Sequence, residues 1–169
     1  MLTLEEAVRE IERAAAHPET GLPPEVFRLV TKLTPMINVD LLIRNEAGET
    51  LLTWRAETLC EPGWHIPGGI IRFQEPIEHR IHAVAETELC SDVNFDPAPL
   101  KVTEFILPHQ DHRNHFISLL YRCHLTKPLP ESLCCKDLKN PKNGEYAWFS
   151  EPPGNLLRVH RKYCSFIRQ

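Results

Sequence analysis

Residues 68–90 read Gly68-Gly69-Ile-Ile-Arg-Phe-Gln-Glu75-Pro76-Ile77-Glu-His-Arg-Ile81-His-Ala-Val84-Ala85-Glu86-Thr-Glu88-Leu-Cys90. Pro76 suits the start of a helix, and the apolar spacing carries that helix to about Cys90. At ~100° per residue, Ile77, Ile81, Val84 and Ala85 share one stripe, while His79, His82 and Glu86 fall opposite. Glu88 falls inside the apolar stripe, between Ile81 and Val84. A carboxylate there is paired, protonated or bound to a cation, because burying it bare is costly; otherwise it bends out to water or pairs with an arginine. Glu86 reads as a solvated surface charge. The glycine pair lets the backbone approach a ligand and exposes carbonyls to a hard cation, although most such pairs are simply turns.

Working outward, Thr3 and Glu6 form a capping-box pattern ahead of a helix over 4–16, and Pro24 opens a second helix, 24–33. Alternation predicts a strand over 37–43, a turn at 45–48 and a return strand at 49–55. Residues 56–67 read as loop and 70–73 as a short strand. Further strands are expected at 102–107, 116–125 and 145–149, with a long exposed loop at 127–144 and a final helix at 155–167. This pattern predicts an α+β domain, a mixed β-sheet between helices over 34–169, preceded by an N-terminal helical extension over 1–33. The extension and the 127–144 loop are candidate contacts for a homodimer.

The chain has 169 residues, enough for one domain with a sizeable core. Its net charge of −4 argues against a general nucleic-acid binder. No stretch approaches the ~18 apolar residues of a membrane span, and residues 1–16 lack the apolar block of a signal peptide. Six cysteines without a C-x-x-C pair read as reduced thiols of a cytoplasmic protein.

The loop–helix resembles the Nudix signature, G-x5-E-x7-R-E-U-x-E-E-x-G-U, where U is aliphatic. Gly69, Glu75 and Glu88 match its first Gly, first Glu and last Glu. Ala83, Val84, Thr87 and Cys90 occupy its Arg, following Glu, penultimate Glu and closing Gly positions. Thr34–Asp40, the hairpin to Arg55, Trp64–Gly69 and Tyr146–Trp148 are similar to the GDP-mannose mannosyl hydrolase branch of that superfamily. The resemblance implies Mg²⁺ held by the Gly69 carbonyl and Glu88, with Glu75 a lesser candidate, and a small-molecule nucleotide-sugar substrate. Asp40 and Arg55 match catalytic positions, Arg55 against the diphosphate. The branch's metal-ligand Gln and catalytic-base His align with Lys142 and Asn143, and Ile70 replaces an arginine. These departures keep open a second reading, a nucleotide-binding module of the same fold without catalysis.

The loop His109-Gln-Asp-His112-Arg113-Asn-His115 offers three imidazoles. His109 or His115 is a candidate replacement base, the three together a candidate Zn²⁺ site, and Arg113 a candidate phosphate contact; the alternative is a His-rich exposed loop. Trp64 and Trp148 are candidates to stack on a base or sugar, or else belong to the core or its rim. Cys90 is expected to pack at the helix end.

Overall fold

In the computed structural model, residues 2–56, 62–108 and 114–168 are described. Helix α1 spans Leu4–Ala14 and ends two residues earlier than its pattern. Its capping box is formed: the Thr3 hydroxyl accepts from Glu6 N–H at 3.2 Å, and Thr3 N–H donates to the Glu6 carboxylate at 2.8 Å. A 3₁₀ turn, Pro18–Thr20, leads to α2, Pro24–Leu33. The strands are β1 Met36–Ile43, β2 Thr50–Arg55, β3 Gly63–His65 and β4 Gly68–Ile70, then helix α3, Ile77–Leu89. After it come β5 Val93–Phe95, β6 Lys101–Ile106, β7 His115–Leu125, β8 Tyr146–Phe149, a 3₁₀ helix Arg158–Tyr163 and α4 Cys164–Ile167.

The main sheet is mixed. Its order is β4-β1-β7-β5, with β6 also on β7; β1 and β7 run parallel and the other pairs antiparallel. Strands β3-β2-β8 form a second, antiparallel sheet. Alternation along β1 sends Val39, Leu41 and Ile43 to one face, where Ile81, Val84, Ala85 and Leu89 of α3 cover them. Leu42 and Leu120 face the other way and pack with Phe105, Tyr163 and Ile167. The helical phasing of α3 is realised except at Ile77, which stays 39% exposed at the first turn, before the helix reaches the sheet.

Four local expectations are corrected. The strand expected at 70–73 is β4, shifted to 68–70; beyond it Glu75 N–H bonds Arg72 O in a turn with Gln74 at φ 57°. Strand β3 arises within the expected loop, because pairing with β2 creates it where three residues show no alternation. The final helix begins only at Arg158, because Leu156 bridges to Trp64 and Leu157 N–H bonds Trp64 O, which commits these residues to the sheet edge. Cys90 does not pack; it is exposed. The five cysteines among the described residues are unbridged. No helix among these residues is long and apolar enough to cross a membrane.

Candidate active site

The site forms where β4 lies along β1. Leu41 N–H donates to Pro67 O, and Ile71 N–H donates to Ile37 O. In an antiparallel ladder, bonded and non-bonded pairs alternate, so Val39–Gly69 is bonded and Asp40–Gly68 is not. The Gly69 polar groups therefore face β1. Those of Gly68 point off the free edge of the sheet, and its N–H helps stabilise the Glu88 carboxylate. The backbone groups facing Glu88 are thus those of Gly68, and those of the expected Gly69 are turned to β1. Both glycines are required by close approach: a Cβ at 68 would lie 2.8 Å from Val39 O, and one at 69 would lie 2.8 Å from Val84 Cγ2.

Glu88 reaches this edge from the last turn of α3. Its Oε2 is 3.2 Å from Thr53 Oγ1, and its Oε1 is 3.6 Å from Arg55. Burial raises Glu88 to about 7, against the opposing pull of Arg55, Thr53 and Gly68. The His65 ring fixes the proton accounting. Its Nδ1–H donates to the Ile66 carbonyl at 2.9 Å, so in the neutral ring Nε2 is an acceptor, 3.1 Å from the same Thr53 hydroxyl. Burial holds His65 well below its usual range. One hydroxyl proton thus serves two acceptors, and the Glu88 carboxylate has the Gly68 N–H and the Arg55 charge as its other partners.

Asp40 is 5% exposed and accepts from the Ser118 hydroxyl. Burial raises it to about 6. His160 accepts from Ile66 N–H at 3.0 Å and is pushed down to about 3 by burial, then by Arg55. The Arg55 charge therefore bears on four buried titratable groups: Asp40, His65, Glu88 and His160. Beside it lies a cleft of about 380 Å³ walled by Gly68, Arg72 and Arg80, with Leu22 and Phe27 of the N-terminal extension opposite. The guanidiniums of Arg55 and Arg72 suit a phosphorylated ligand, while Arg80, also on the wall, has its charge matched by Glu75.

Of the candidates from sequence, Asp40, Arg55 and Glu88 converge here. Others do not. Glu75 is committed to Arg80 in a bidentate pair at 2.8 and 2.8 Å and accepts from Arg72 N–H, so it is corrected from metal ligand to partner of Arg80. Trp64 is 1% exposed, with Trp54 and Phe149 against its ring at 5.3 and 5.0 Å, so it is a core residue with no face for a ligand. His115 stands on the face of β7 opposite Ser118 and pairs with Glu104 at 3.2 Å, which removes it as a base for this site. His109 and Arg113 lie outside the described residues. Thr53, His65, Ser118, His160 and Tyr163 were not singled out from sequence; each is an ordinary residue type whose place here depends on strand pairing.

The chemistry of the donors fits Mg²⁺. The Glu88 carboxylate and the Gly68 carbonyl are hard oxygen ligands on the same edge. Among the described residues, no group of three or more His, Cys, Asp or Glu converges in metal-binding geometry. Glu88 and Gly68 would supply a minority of an octahedral shell, and water and phosphate oxygens would supply the remainder.

No protein-family model matches the chain. The low-salt glycan biosynthesis protein Agl8 of Haloferax volcanii is 32% identical over 82 residues, 48% of this chain and 52% of that protein. The chain therefore spans about half the length of this curated relative. Among solved structures, the MutT protein from Methanosarcina mazei superposes with a TM-score of 0.60 at 20% identity, covering 79% of this chain and 94% of that one. The MutT Nudix hydrolase from Burkholderia pseudomallei gives 0.60 at 20% identity, covering 78% and 97%. A UDP-X diphosphatase gives 0.57 at 17% identity and covers 96% of this chain and 77% of its own. The chain has the Nudix fold.

Proposed function

We propose that the protein is a Mg²⁺-dependent Nudix hydrolase acting on a nucleoside diphosphate linked to another moiety, a nucleotide sugar such as GDP-mannose. One observation carries this reading: Glu88, the Gly68 backbone and Arg55 meet at the mouth of a basic cleft. Arg55, with Arg72 along the wall, neutralises and orients the diphosphate. Asp40, held by Ser118 and paired in register with Gly68 of the cleft wall, is the candidate proton acceptor. Bound Mg²⁺ would supply charge stabilisation at the phosphate oxygens. The glycan-biosynthesis role in the name of the Haloferax relative, and the nucleotide diphosphatase named among the structural neighbours, support a nucleotide-sugar substrate.

A nucleotide-binding module is the second reading, and Asn143 favours it. It aligns with the base of the resembling branch, yet its side-chain oxygen accepts from Ala56 N–H at 3.0 Å and holds the chain after Arg55. A panel of nucleotide sugars incubated in ¹⁸O water with and without Mg²⁺ separates the two. Turnover that requires Mg²⁺ and falls at least ~100-fold in Glu88→Gln supports the hydrolase, and the position of the label reports attack at phosphorus or carbon. Binding without turnover, unaffected by chelator, supports the module.

A further inference from the structure

The cleft beside Arg55 runs along the bare edge of the main sheet. Strand β4 ends that sheet, with β1 as its neighbour. Val39–Gly69 and Ile37–Ile71 are the bonded pairs on either side of Ile70. The N–H and C=O of Ile70 therefore point outward, as those of Gly68 do. The Gly68 N–H serves Glu88. Among the described residues, none bonds either backbone group of Ile70. An edge left in this state is a template for a ligand with its own donors and acceptors. The N-terminal extension stands across from it: Arg72 Nη1–H donates to Glu19 O at 3.3 Å, and Leu22 and Phe27 form the opposite wall.

The two ends of this cleft differ in chemistry. Arg55 and Glu88 mark the Gly68 end. Met36 marks the other, because it precedes Asp40, the register partner of Gly68, by about 13 Å of strand. Beside Met36 stand Leu22, Phe27 and Phe73, and the polar side chains on the walls are all arginine. Phe73 is 62% exposed, a large ring left in water at an open cleft. A group held at this end meets apolar surface on its faces and the Ile70 N–H and C=O at its rim. A sugar would leave several hydroxyls unpaired there, each at the cost of its desolvation. A nucleobase has two flat faces that stack on aromatic rings, and donors and acceptors confined to its edge.

We propose that this end of the cleft is the nucleobase subsite, with the base against Phe27 and Phe73 and its hydrogen-bonding edge on the backbone of Ile70. The assignment rests on the nucleotide reading above, and it makes the N-terminal extension part of the ligand site. Calorimetric titrations, with and without Mg²⁺, would use GDP, UDP, their base-edge-blocked forms N1-methyl-GDP and N3-methyl-UDP, and methyl diphosphate, which carries the phosphates without a base. In the wild type, the tighter of GDP and UDP is expected to bind about tenfold or more tightly than methyl diphosphate. Its methylated form is expected to lose about fivefold or more. Phe73→Ala is expected to weaken the same nucleotide by about fivefold or more and to leave methyl diphosphate binding unchanged. The ring is exposed, so the melting temperature should hold. Methyl diphosphate binding as tightly as both nucleotides, a methylated base binding as well as its parent, or Phe73→Ala without effect would each overturn the subsite. In that case the nucleotide reading survives if Arg55→Ala still weakens GDP or UDP. A wild type that binds none of the probes overturns both.

Discussion

Glu88 and His65 share the single proton of Thr53, and their burial has a measurable consequence. Folding raises Glu88 from 4.5 to about 7 and Asp40 from 3.8 to about 6, while it lowers His160 to about 3 and lowers His65 as well. A raised acid binds more protons folded than unfolded, so its contribution falls as pH rises between its unfolded and folded values. A lowered histidine does the reverse below its unfolded value of 6.5. Near pH 5 the two folded acids hold protons that the two unfolded histidines would hold, so the opposing slopes largely cancel. Glu88→Gln removes one of the two acids from that balance. In chelator, its stability relative to wild type is expected to rise from pH 4.5 to 7 by on the order of 2–3 kcal/mol. Denaturant titrations across this range check it, and a flat difference refutes the burial of Glu88. The position of Glu88 was legible from helical phasing, because a carboxylate in an apolar stripe has few places to go. The partners Thr53 and His65 were not, because they come from two other strands and their side chains carry no periodic signal.

Helix α3 shows how an element can keep its geometry while its signature residues change. The box arginine position is Ala83, and the guanidinium of this helix stands one turn earlier, at Arg80, closing on Glu75. The two side chains are only 11% and 15% exposed, and their pair ties the turn after β4 to the first turn of α3. Arg80→Ala leaves a buried acid without its partner and is expected to cost about 3 kcal/mol; chemical denaturation reads this, and Arg80→Lys, lacking the fork, should recover only part. At the other end, Cys90 caps the helix in the left-handed region at φ 47°, where a side chain is strained. It is exposed, so its replacement breaks no packing. Cys90→Gly is therefore expected to stabilise the protein by about 0.5–1 kcal/mol, seen as a higher denaturation midpoint. A lower midpoint would show that the added chain entropy of glycine outweighs the strain.

At the scale of the whole molecule, the N-terminal extension contributes unequally. Helix α1 buries no residue, and Leu4 is 83% exposed, whereas α2 buries Val26 and Thr31. Removing residues 2–16 should change stability by less than about 1 kcal/mol. Removing 2–33 also takes away Leu22 and Phe27, one wall of the cleft, and should weaken nucleotide binding even where the remainder stays folded; calorimetry on both truncations checks this. Periodicity and punctuation in the sequence determined the elements that have a repeat of their own: α1, α2, the central strands and α3, with Glu88 on its inner face. These are local properties, set by which side chains face apolar surroundings every second or every third to fourth residue. The tertiary structure decided the rest. Register between β1 and β4 turned the backbone groups of Gly68 and Ile70, rather than those of Gly69, to the free edge, and pairing with β2 made a strand of Gly63–His65 and buried Trp64. The approach of the N-terminal extension set Leu22 and Phe27 across the cleft from that edge. Hydrogen-bond alternation and contacts between residues distant in the chain depend on partners, and a single strand's sequence carries no record of which partner it will meet.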